Sequence, residues 1–274
     1  MSRHAPSAAP QELLRSIWKN RQLILQMSKR EVIGRYRGSI MGLAWSLFNP
    51  ILMLAVYTFV FSEVFKAKWG GSDGGKSEFA IMLFVGMIIH GFFAECANRA
   101  PSLVLQNSNY VTKVVFPLEI LPISSLLCAL FHTAISLVVL IGAQLLTQGT
   151  LPWTAIYFPL VLLPLFIGTL GISWILASIG VFIRDVGQII GVLTTVLLFL
   201  SPVLYPVSSL PPQYQSFLHL NPLTYIIEEG RNTLLMGLPL QPLPWLLAMA
   251  IASGLIIIGF WLFQKTRRGF ADVI

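Results

Sequence analysis

One eight-residue segment has the spacing of a phosphate-binding loop. Residues 70–77 read Gly-Gly-Ser-Asp-Gly-Gly-Lys-Ser, which matches the pattern G-x-x-x-x-G-K-[ST]. That chemistry needs a buried strand before the loop and a helix after it, so that backbone N–H groups converge on the phosphates. Here the segment lies between two strongly apolar stretches, where a flexible Gly/Ser turn explains the same residues. We therefore expect no ATP site in this chain.

Histidine and cysteine residues, which could bind a metal or act as nucleophiles, are few and scattered. His90 and His132 each lie singly in an apolar segment, and Cys96 and Cys128 lie in or beside such segments. We find no spacing typical of metal ligands or of a nucleophile with its base. The prediction is packed histidines and small buried thiols, with no catalytic residue, metal ion or cofactor bound by this chain.

The amino-acid composition of the segments that carry these residues is typical of a membrane protein. Of the 274 residues, 55% are hydrophobic and 11% are charged, against roughly 25% charged in a soluble domain. Residues 120–183 contain no Asp, Glu, Lys or Arg. The net charge of +7 comes from basic residues beside apolar stretches. This placement is typical of membrane topology and contact with anionic lipids, so we predict no nucleic-acid partner.

Six apolar stretches approach the length of about 20 residues that crosses a bilayer. If both termini are cytoplasmic, 14 of the 18 Lys and Arg residues lie inside and four lie outside, as the positive-inside rule requires. We therefore predict an all-α polytopic membrane protein with six transmembrane helices and both termini in the cytoplasm. The predicted spans are residues 43–63, 79–99, 121–146, 156–183, 189–207 and 243–263.

Two further segments are neither spans nor simple loops. Residues 201–244 hold eight prolines among apolar residues, which favours short re-entrant or external helices between the fifth and sixth spans. Residues 11–36 form one predicted amphipathic helix on the cytoplasmic membrane surface. Its apolar face comprises Leu13, Leu14, Ile17, Trp18, Ile24 and Leu25. The predicted organisation is a cytoplasmic N-terminus over 1–42, a transmembrane domain over 43–263 and a cytoplasmic tail over 264–274.

Charged residues lie at the ends of the predicted spans, not at their middles. Charges at mid-span would mark an ion-coupled carrier. Their placement at the ends favours a pore driven by a partner. It also disfavours a membrane-embedded enzyme. The residues concerned are Glu63, Glu95, Arg99, Arg184 and Asp185.

Five pieces of sequence, in order, resemble the ABC-2 type permeases that export polysaccharides. The first is Arg35-Tyr36-Arg37-Gly38-Ser39-Ile40-Met41-Gly42-Leu43-Ala44-Trp45, followed by Pro50, with Met41 where the family often has Leu. The others are residues 107–122, Phe182-Ile183-Arg184-Asp185, Ser201-Pro202-Val203 and Asn221-Pro222. The likeness covers residues 12 to about 265 and is nearest to the O-antigen, capsule and teichoic acid exporter subunits.

The resemblance implies a homodimer in the cytoplasmic (inner) membrane, with two separate ATPase subunits that bind ATP and Mg. A lipid-linked polysaccharide would enter from the cytoplasm and pass between the two permeases. Helix 11–36 would line the inner gate, and residues 203–240 would form external gate helices. The implied gate and substrate-entrance residues are Arg35, Tyr36, Arg37, Ser39, Met41, Gly42 and Trp45. The implied ATPase-coupling residues are Asn98, Arg99, Asn107 and Lys113, and the candidate channel aromatics are Tyr57, Phe92, Phe93, Trp174 and Tyr205.

Two questions stay open at the level of sequence. The exported substrate could be an O-antigen-like polymer, a teichoic acid, a capsule polymer, or a smaller lipid or drug. Arg35 and Arg37 could bind the pyrophosphate of a lipid-linked polymer through their planar guanidinium groups. They could instead only anchor the entrance helix to lipid headgroups.

Overall fold

The computed structural model describes residues 10–65, 76–112 and 116–274, and all regular structure in these ranges is helical. Residues 70–75 of the loop-like motif and the predicted coupling residue Lys113 lie outside the described residues. The helices are α1 (Pro10–Lys19), α2 (Arg21–Arg35), α3 (Ala44–Tyr57, continued by a π-helix over Thr58–Val64), α4 (Lys76–Arg99), α5 (Leu103–Gln106), α6 (Ser108–Thr112), α7 (Ile120–Gln148), α8 (Phe158–Phe182), α9 (Val186–Leu200), α10 (Pro212–His219), α11 (Pro222–Leu234), α12 (Pro242–Thr266) and α13 (Phe270–Val273).

Five helical segments of the described ranges are long and apolar enough to cross a membrane. They are Ala44–Phe61, Glu78–Gln106, Ile120–Gln148, Trp153–Phe182 and Pro242–Val273. These segments correspond to five of the six predicted spans.

The remaining predicted span, 189–207, differs from the structure. Its helix is α9, which has 15 residues and stops at Leu200. The next residue, Ser201, is extended, with φ −107° and ψ 153°. Pro202 and Pro206 lack the backbone N–H that a continuing helix needs, so the chain leaves helical geometry here. At about 1.5 Å per residue, α9 alone is roughly 22 Å long.

The predicted single amphipathic helix over 11–36 is two helices, α1 and α2, with a break at Asn20. The Asn20 amide donates to the Ser16 carbonyl at 2.8 Å, which satisfies a carbonyl at the end of α1. The predicted common apolar face is also wrong, because its members divide between two environments. Leu13 and Ile24 are buried inside the chain, whereas Leu14, Trp18 and Leu25 are exposed.

Helices α4 and α8 form the centre of the molecule. In the most apolar stretch of each helix, 72% and 67% of the residues are buried inside the chain. Helix α12 packs closely on α8 at two glycines. A Cβ atom added to Gly259 would lie 2.2 Å from the carbonyl oxygen of Gly171. Only residues without a side chain allow backbones to approach in this way. Helix α3 is the opposite case. Only 6% of the residues in its apolar stretch are buried, so most of its apolar surface is uncovered within this chain.

The predicted tail over 264–274 packs onto the membrane helices. Helix α12 runs to Thr266, and the short helix α13 follows after one turn. Phe270 is fully buried, with its ring 6.0 Å from that of Phe182 and 5.5 Å from that of Phe263. The C-terminal residues are therefore part of the helical domain.

Glu119, just before α7, joins three distant parts of the chain at one end of the molecule. Its Oε1 accepts a hydrogen bond from Ser16 of α1 at 2.8 Å, and its Oε2 accepts one from Arg267 at 2.7 Å. Its carbonyl accepts from the indole N–H of Trp174 at 3.1 Å. The first helix and the end of the last long helix consequently lie on the same face of the protein.

Candidate functional site

Two ion pairs connect the end of α2 to the end of α4. Arg35 pairs with Glu95, and Arg99 pairs with Glu31. The carboxylate of Glu95 also lies 3.9 Å from Arg99. Each helix supplies one acid and one arginine four residues apart, a spacing that puts both on one helix face. We call these four residues the charge ladder.

The environment of the charge ladder is half-buried, with side-chain exposures between 21% and 36%. Burial raises the pKa of Glu31, although the adjacent Arg99 acts to lower it. Burial acts to lower the pKa of Arg35, but its hydrogen bond to Glu95 reverses this and the pKa is raised overall. Arg35 is therefore a fixed cation held by a carboxylate.

His132 of α7 completes the cluster. It is a half-buried, packed histidine, as predicted, and its hydrogen-bond partner is the guanidinium of Arg35. Its Nδ1 accepts a hydrogen bond from Arg35 at 3.1 Å and lies 3.5 Å from the Glu95 carboxylate. The possible ligand atoms of Glu95, Cys128 and His132 lie within 4.8 Å of one another. The cation that contacts Glu95 and His132 here is the guanidinium of Arg35. A sequence signal existed in the four-residue spacing of Cys128 and His132, but only tertiary packing brings α2 and α4 to them.

A cavity of about 340 Å³ lies beside this cluster, between α3, α4 and α7. Arg35, Glu95 and His132 line it together with Tyr36. Because Arg35 and Glu95 are already paired, this charged part of the wall is close to electrically neutral. Elsewhere the wall is mostly apolar, with Pro50, Met53, Met87 and Ile88. Aromatic rings and hydroxyl and amide groups complete it: Tyr57, Phe84, Phe92, Ser46, Asn49, Thr133 and Ser136. Such a wall suits an uncharged, hydroxylated ring, which offers polar groups at its edge and C–H groups on its face.

The predicted entrance residues divide at the turn between α2 and α3. Arg35 and Tyr36 line the cavity, whereas Arg37, Ser39 and Met41 are exposed and do not. The turn depends on left-handed backbone at Gly38 (φ 84°) and Gly42 (φ 52°), which glycine adopts without steric cost. Trp45 is half-buried and packs edge-to-face on Phe48, with 5.4 Å between the ring centres.

The predicted coupling residues have different surroundings. Arg99 is in the charge ladder, while the amide of Asn98 donates to the Thr194 hydroxyl of α9 at 3.2 Å. Asn107 donates to the carbonyl of Leu103 at 2.8 Å and so ends α5. The connection after α4 is therefore a series of short helical turns over 100–112.

The five candidate channel aromatics are not brought together. Tyr57 and Phe92 line the cavity beside the ladder, and Phe93 lines a separate apolar cavity of about 170 Å³. Tyr205 donates to the carbonyl of Phe199 at 2.8 Å. Trp174 is fully buried inside the chain, so the prediction that it lines a passage is wrong. An unbroken apolar helix such as α8 does not reveal from sequence which face is internal.

The two family-like segments after α9 meet in the structure. The amide of Asn221 donates to the Ser201 hydroxyl at 2.8 Å. Arg231, one of the four basic residues predicted to lie outside, is buried and donates to the carbonyls of Met82, Pro202 and Val203 at 2.8, 2.6 and 2.9 Å. Arg231 thus supplies donors to the carbonyls of an irregular segment, where backbone partners are missing.

Comparison with known proteins gives consistent matches. The family model described as ABC-2 type transporter matches residues 22–235. Over 264 residues the chain is 28% identical to the O-antigen export system permease protein RfbA of Myxococcus xanthus, covering 96% of this chain and 99% of that one. It is 24% identical over 256 residues to the RfbA protein of Klebsiella pneumoniae, covering 92% and 95%. It is 23% identical over 211 residues to the polysialic acid transport protein KpsM of Escherichia coli, covering 76% and 79%. The matched range contains the ladder, the cavity and the Arg231 contacts.

Proposed function

Since this chain belongs to the ABC-2 type transporter family, we propose that it is the permease subunit of an exporter that moves a lipid-linked polysaccharide across the cytoplasmic membrane. The observation that carries this proposal is the near full-length similarity to permeases named for O-antigen export. The cavity supports it, because its neutral, aromatic and hydroxyl-lined wall suits a sugar ring. Transport is powered by two separate ATPase subunits, which bind ATP and Mg on the cytoplasmic face.

Six membrane crossings with both termini in the cytoplasm fit the geometry best. The contacts of Glu119 with Ser16 and Arg267 put α1 and the end of α12 on one face. Two ends on one face require an even number of crossings, so α9 must cross in addition to the five longer segments. Its roughly 22 Å falls short of the ~30 Å hydrocarbon core, and the irregular residues after Leu200 supply the remaining length. The excess of Lys and Arg on that face makes it cytoplasmic.

A second copy of the chain completes the passage. Helices α3 and α9 expose rows of large apolar side chains, for example Leu52 and Val56 on α3 and Val192 and Phe199 on α9. Lipid covers part of this surface, and the partner copy covers the rest. The polymer then passes between the two permeases.

The incoming pyrophosphate is assigned to Arg37. The charge of Arg35 is already compensated by Glu95, and one of its donors is used by His132, so its attraction for phosphate is weakened. Arg37 is exposed two residues away and makes no ion pair within the described ranges. Its planar group can bind phosphate bidentately, and Lys cannot reproduce that geometry. Tyr36 and the cavity are then positioned to receive the first sugar.

Deletion of the gene, followed by identification of the lipid-linked glycan that accumulates inside the cell, tests the proposed function. We expect one long glycan to accumulate on its lipid carrier and to return to the cell surface on complementation. Its chemistry then distinguishes an O-antigen-like polymer from a capsule polymer or a teichoic acid. Normal surface glycans with altered export of a small lipid or drug would contradict the proposal.

Arg37→Lys, compared with Lys29→Arg on the same face of the membrane, tests the phosphate assignment. We expect the Arg37 variant to insert and assemble normally but to export poorly, because it keeps the charge and loses the planar fork. The Lys29 variant also keeps its charge and should export normally. Full export by Arg37→Lys would leave this residue only the role of a headgroup anchor.

A further inference from the structure

The two helices of the charge ladder carry the same short sequence pattern, and the two segments run antiparallel to each other. Residues 31–35 read Glu-Val-Ile-Gly-Arg, and residues 95–99 read Glu-Cys-Ala-Asn-Arg. Each segment presents an acid and an arginine one turn apart. Because Glu31 meets Arg99 and Arg35 meets Glu95, the segments pair in antiparallel order. A shift of one helix by a turn would leave charges unpaired or bring like charges together, so the pairing defines one register.

The ladder lies between the predicted coupling connection and the cavity. Arg99 is the last residue of α4, and the connection over 100–112 follows it directly. Arg35 is the last residue of α2, and together with the next residue, Tyr36, it lines the cavity. A short path of paired charged side chains therefore joins the connection to the cavity wall.

A second contact links the same two parts. Arg30 of α2 donates to the hydroxyl of Tyr110 on α6 at 3.2 Å. The ring of Tyr110 stacks on Phe116, with ring centres 4.3 Å apart. Helix α2 is thus attached to the connection at a second point, beside the ladder.

We propose that the charge ladder is the joint through which the connection and α2 move as one body when the ATPase acts. Glu31, Arg35, Glu95 and Arg99 are then positioning residues for transport, acting through α2 on the width of the cavity. This inference rests on the proposed export function.

Stability alone gives a weak reason for such an arrangement. Partly exposed ion pairs contribute little to folding, since screening and side-chain entropy offset most of the attraction. Paired arginine and carboxylate groups do supply direction and register. Breaking the ladder should consequently leave the fold and ATP hydrolysis in place and reduce export.

The test uses the complete exporter, with its ATPase, in proteoliposomes or in cells that lack the native gene. The variants are Glu31→Arg, Arg99→Glu and the exchange of both charges, with Lys29→Glu as the matched control. Lys29 is an exposed charge on α2 that makes no ion pair in the described part of the chain. ATP hydrolysis, complex assembly and surface glycan are measured for each.

We expect each single reversal to lower export about five- to tenfold, the size of a typical coupling between sites, with ATP hydrolysis retained. The charge exchange restores this pair but places like charges one turn from Arg35 and from Glu95, so it should bring export part of the way back toward wild type. The control should export normally. Wild-type export by both single reversals, or failure of the exchange to restore it, overturns the joint. The second result would mean that Arg99 acts on another partner directly.

A covalent link gives an independent test, which remains informative if a charge-reversal variant folds poorly. Glu31→Cys with Arg99→Cys is made in a background where Cys96 and Cys128 are replaced. A short methanethiosulfonate cross-linker joins the two, because a disulfide needs Cβ atoms about 4 Å apart. If the ladder moves as one body, the cross-linked pair exports and the reduced pair does not. Export that is lower after cross-linking would show that the two helices must separate, and would overturn the joint.

The same experiment separates this inference from the proposed function. A wild-type complex that hydrolyses ATP but moves no glycan refutes polysaccharide export, and the joint fails with it. A wild-type complex that exports glycan, with ladder variants that export equally well, refutes only the joint.

Discussion

Arg267 donates a hydrogen bond of 2.7 Å to the carboxylate of Glu119, although the two residues are 148 positions apart. The other terminal guanidinium nitrogen of Arg267 donates to the carbonyl of Phe116 at 2.6 Å. Glu119 is buried and also accepts from Ser16. One ion pair therefore fastens the C-terminal turn and the first helix to the start of α7.

Replacement of Arg267 tests how much this junction stabilises the fold. Arg267→Gln leaves a buried carboxylate without its cation, so we expect a loss of about 2 kcal/mol in the free energy of unfolding. The neighbouring Arg268 is exposed, and Arg268→Gln should change it little. Thermal unfolding of the purified protein in detergent measures both. Equal losses in the two variants would mean that the pair with Glu119 contributes nothing specific.

Accessibility of single cysteines tests the six-crossing topology. Asn109 in α6 and Gln213 in α10 are both exposed, and the proposed topology puts them on opposite sides of the membrane. In a background without native cysteines, an impermeant thiol reagent added to intact cells should label Gln213→Cys only. Asn109→Cys should react after permeabilisation. Labelling of both variants in intact cells would put the two residues on the same side of the membrane and would contradict the six-crossing topology.

The close contact of α8 and α12 predicts a sharp difference between two glycines of one helix. Gly259→Ala adds a Cβ atom that would lie 2.2 Å from the Gly171 carbonyl, so the helices must move apart. Gly254 faces open space, where Ala is accommodated. We expect Gly259→Ala to lower the melting temperature, at a cost of about 1–3 kcal/mol for overpacking. Gly254→Ala should be neutral or slightly stabilising, since Ala favours helix over Gly. Similar melting temperatures for both would contradict the packing.

The pH dependence of stability should reveal the burial of Glu31. Burial raises the pKa of this carboxyl in the folded protein above its unfolded value, so folding favours the protonated form. That contribution is present below the unfolded pKa of about 4.3 and is lost as the pH rises through the folded pKa. Glu31→Gln stays neutral throughout. We expect its melting temperature to exceed that of the wild type increasingly from pH 4 to pH 7. A difference in melting temperature that does not grow with pH would contradict the raised pKa of Glu31. Asp272→Asn is the control for loss of an exposed carboxylate.

Lys76 tests the rejected phosphate-loop interpretation. It is the first residue of α4 and the lysine of the G-x-x-x-x-G-K-[ST] pattern. Lys76→Ala should leave ATP hydrolysis by the assembled exporter unchanged, because we propose that the nucleotide sites belong to partner subunits. Loss of nucleotide binding in an assembled complex would revive the motif as a functional loop.

Much of the helical architecture is readable from the sequence, because lipid imposes a simple rule. A backbone in hydrocarbon must satisfy its own hydrogen bonds, so long apolar stretches become helices of predictable length. Five of the predicted spans correspond closely to helices of the structure. The rule fails at α9, where prolines end the helix although the composition stays apolar. It also fails at Asn20, where a polar residue divides the predicted amphipathic helix.

The sequence also indicates the turn that follows Arg35 and Tyr36, because a tight turn between two helices needs glycines with left-handed backbone, here Gly38 and Gly42. Its similarity to known permeases is likewise a property of the linear chain. These features are local, and local patterns record them. What the sequence by itself determined is therefore the class of protein, most of its helices and the glycine turn between α2 and α3.

Tertiary structure decided which charges meet. Residues 31–35 and 95–99 repeat one pattern of acid and arginine, yet nothing in either segment indicates that they pair with each other. His132 seemed isolated because its partners lie on α2 and α4, and Trp174 seemed available because an apolar helix looks alike on every side. Arg231 and Glu119 are comparable cases, since their partners come from segments far along the chain. Desolvation forces each buried charge to find a partner, but only the packing of the helices determines which partner is within reach.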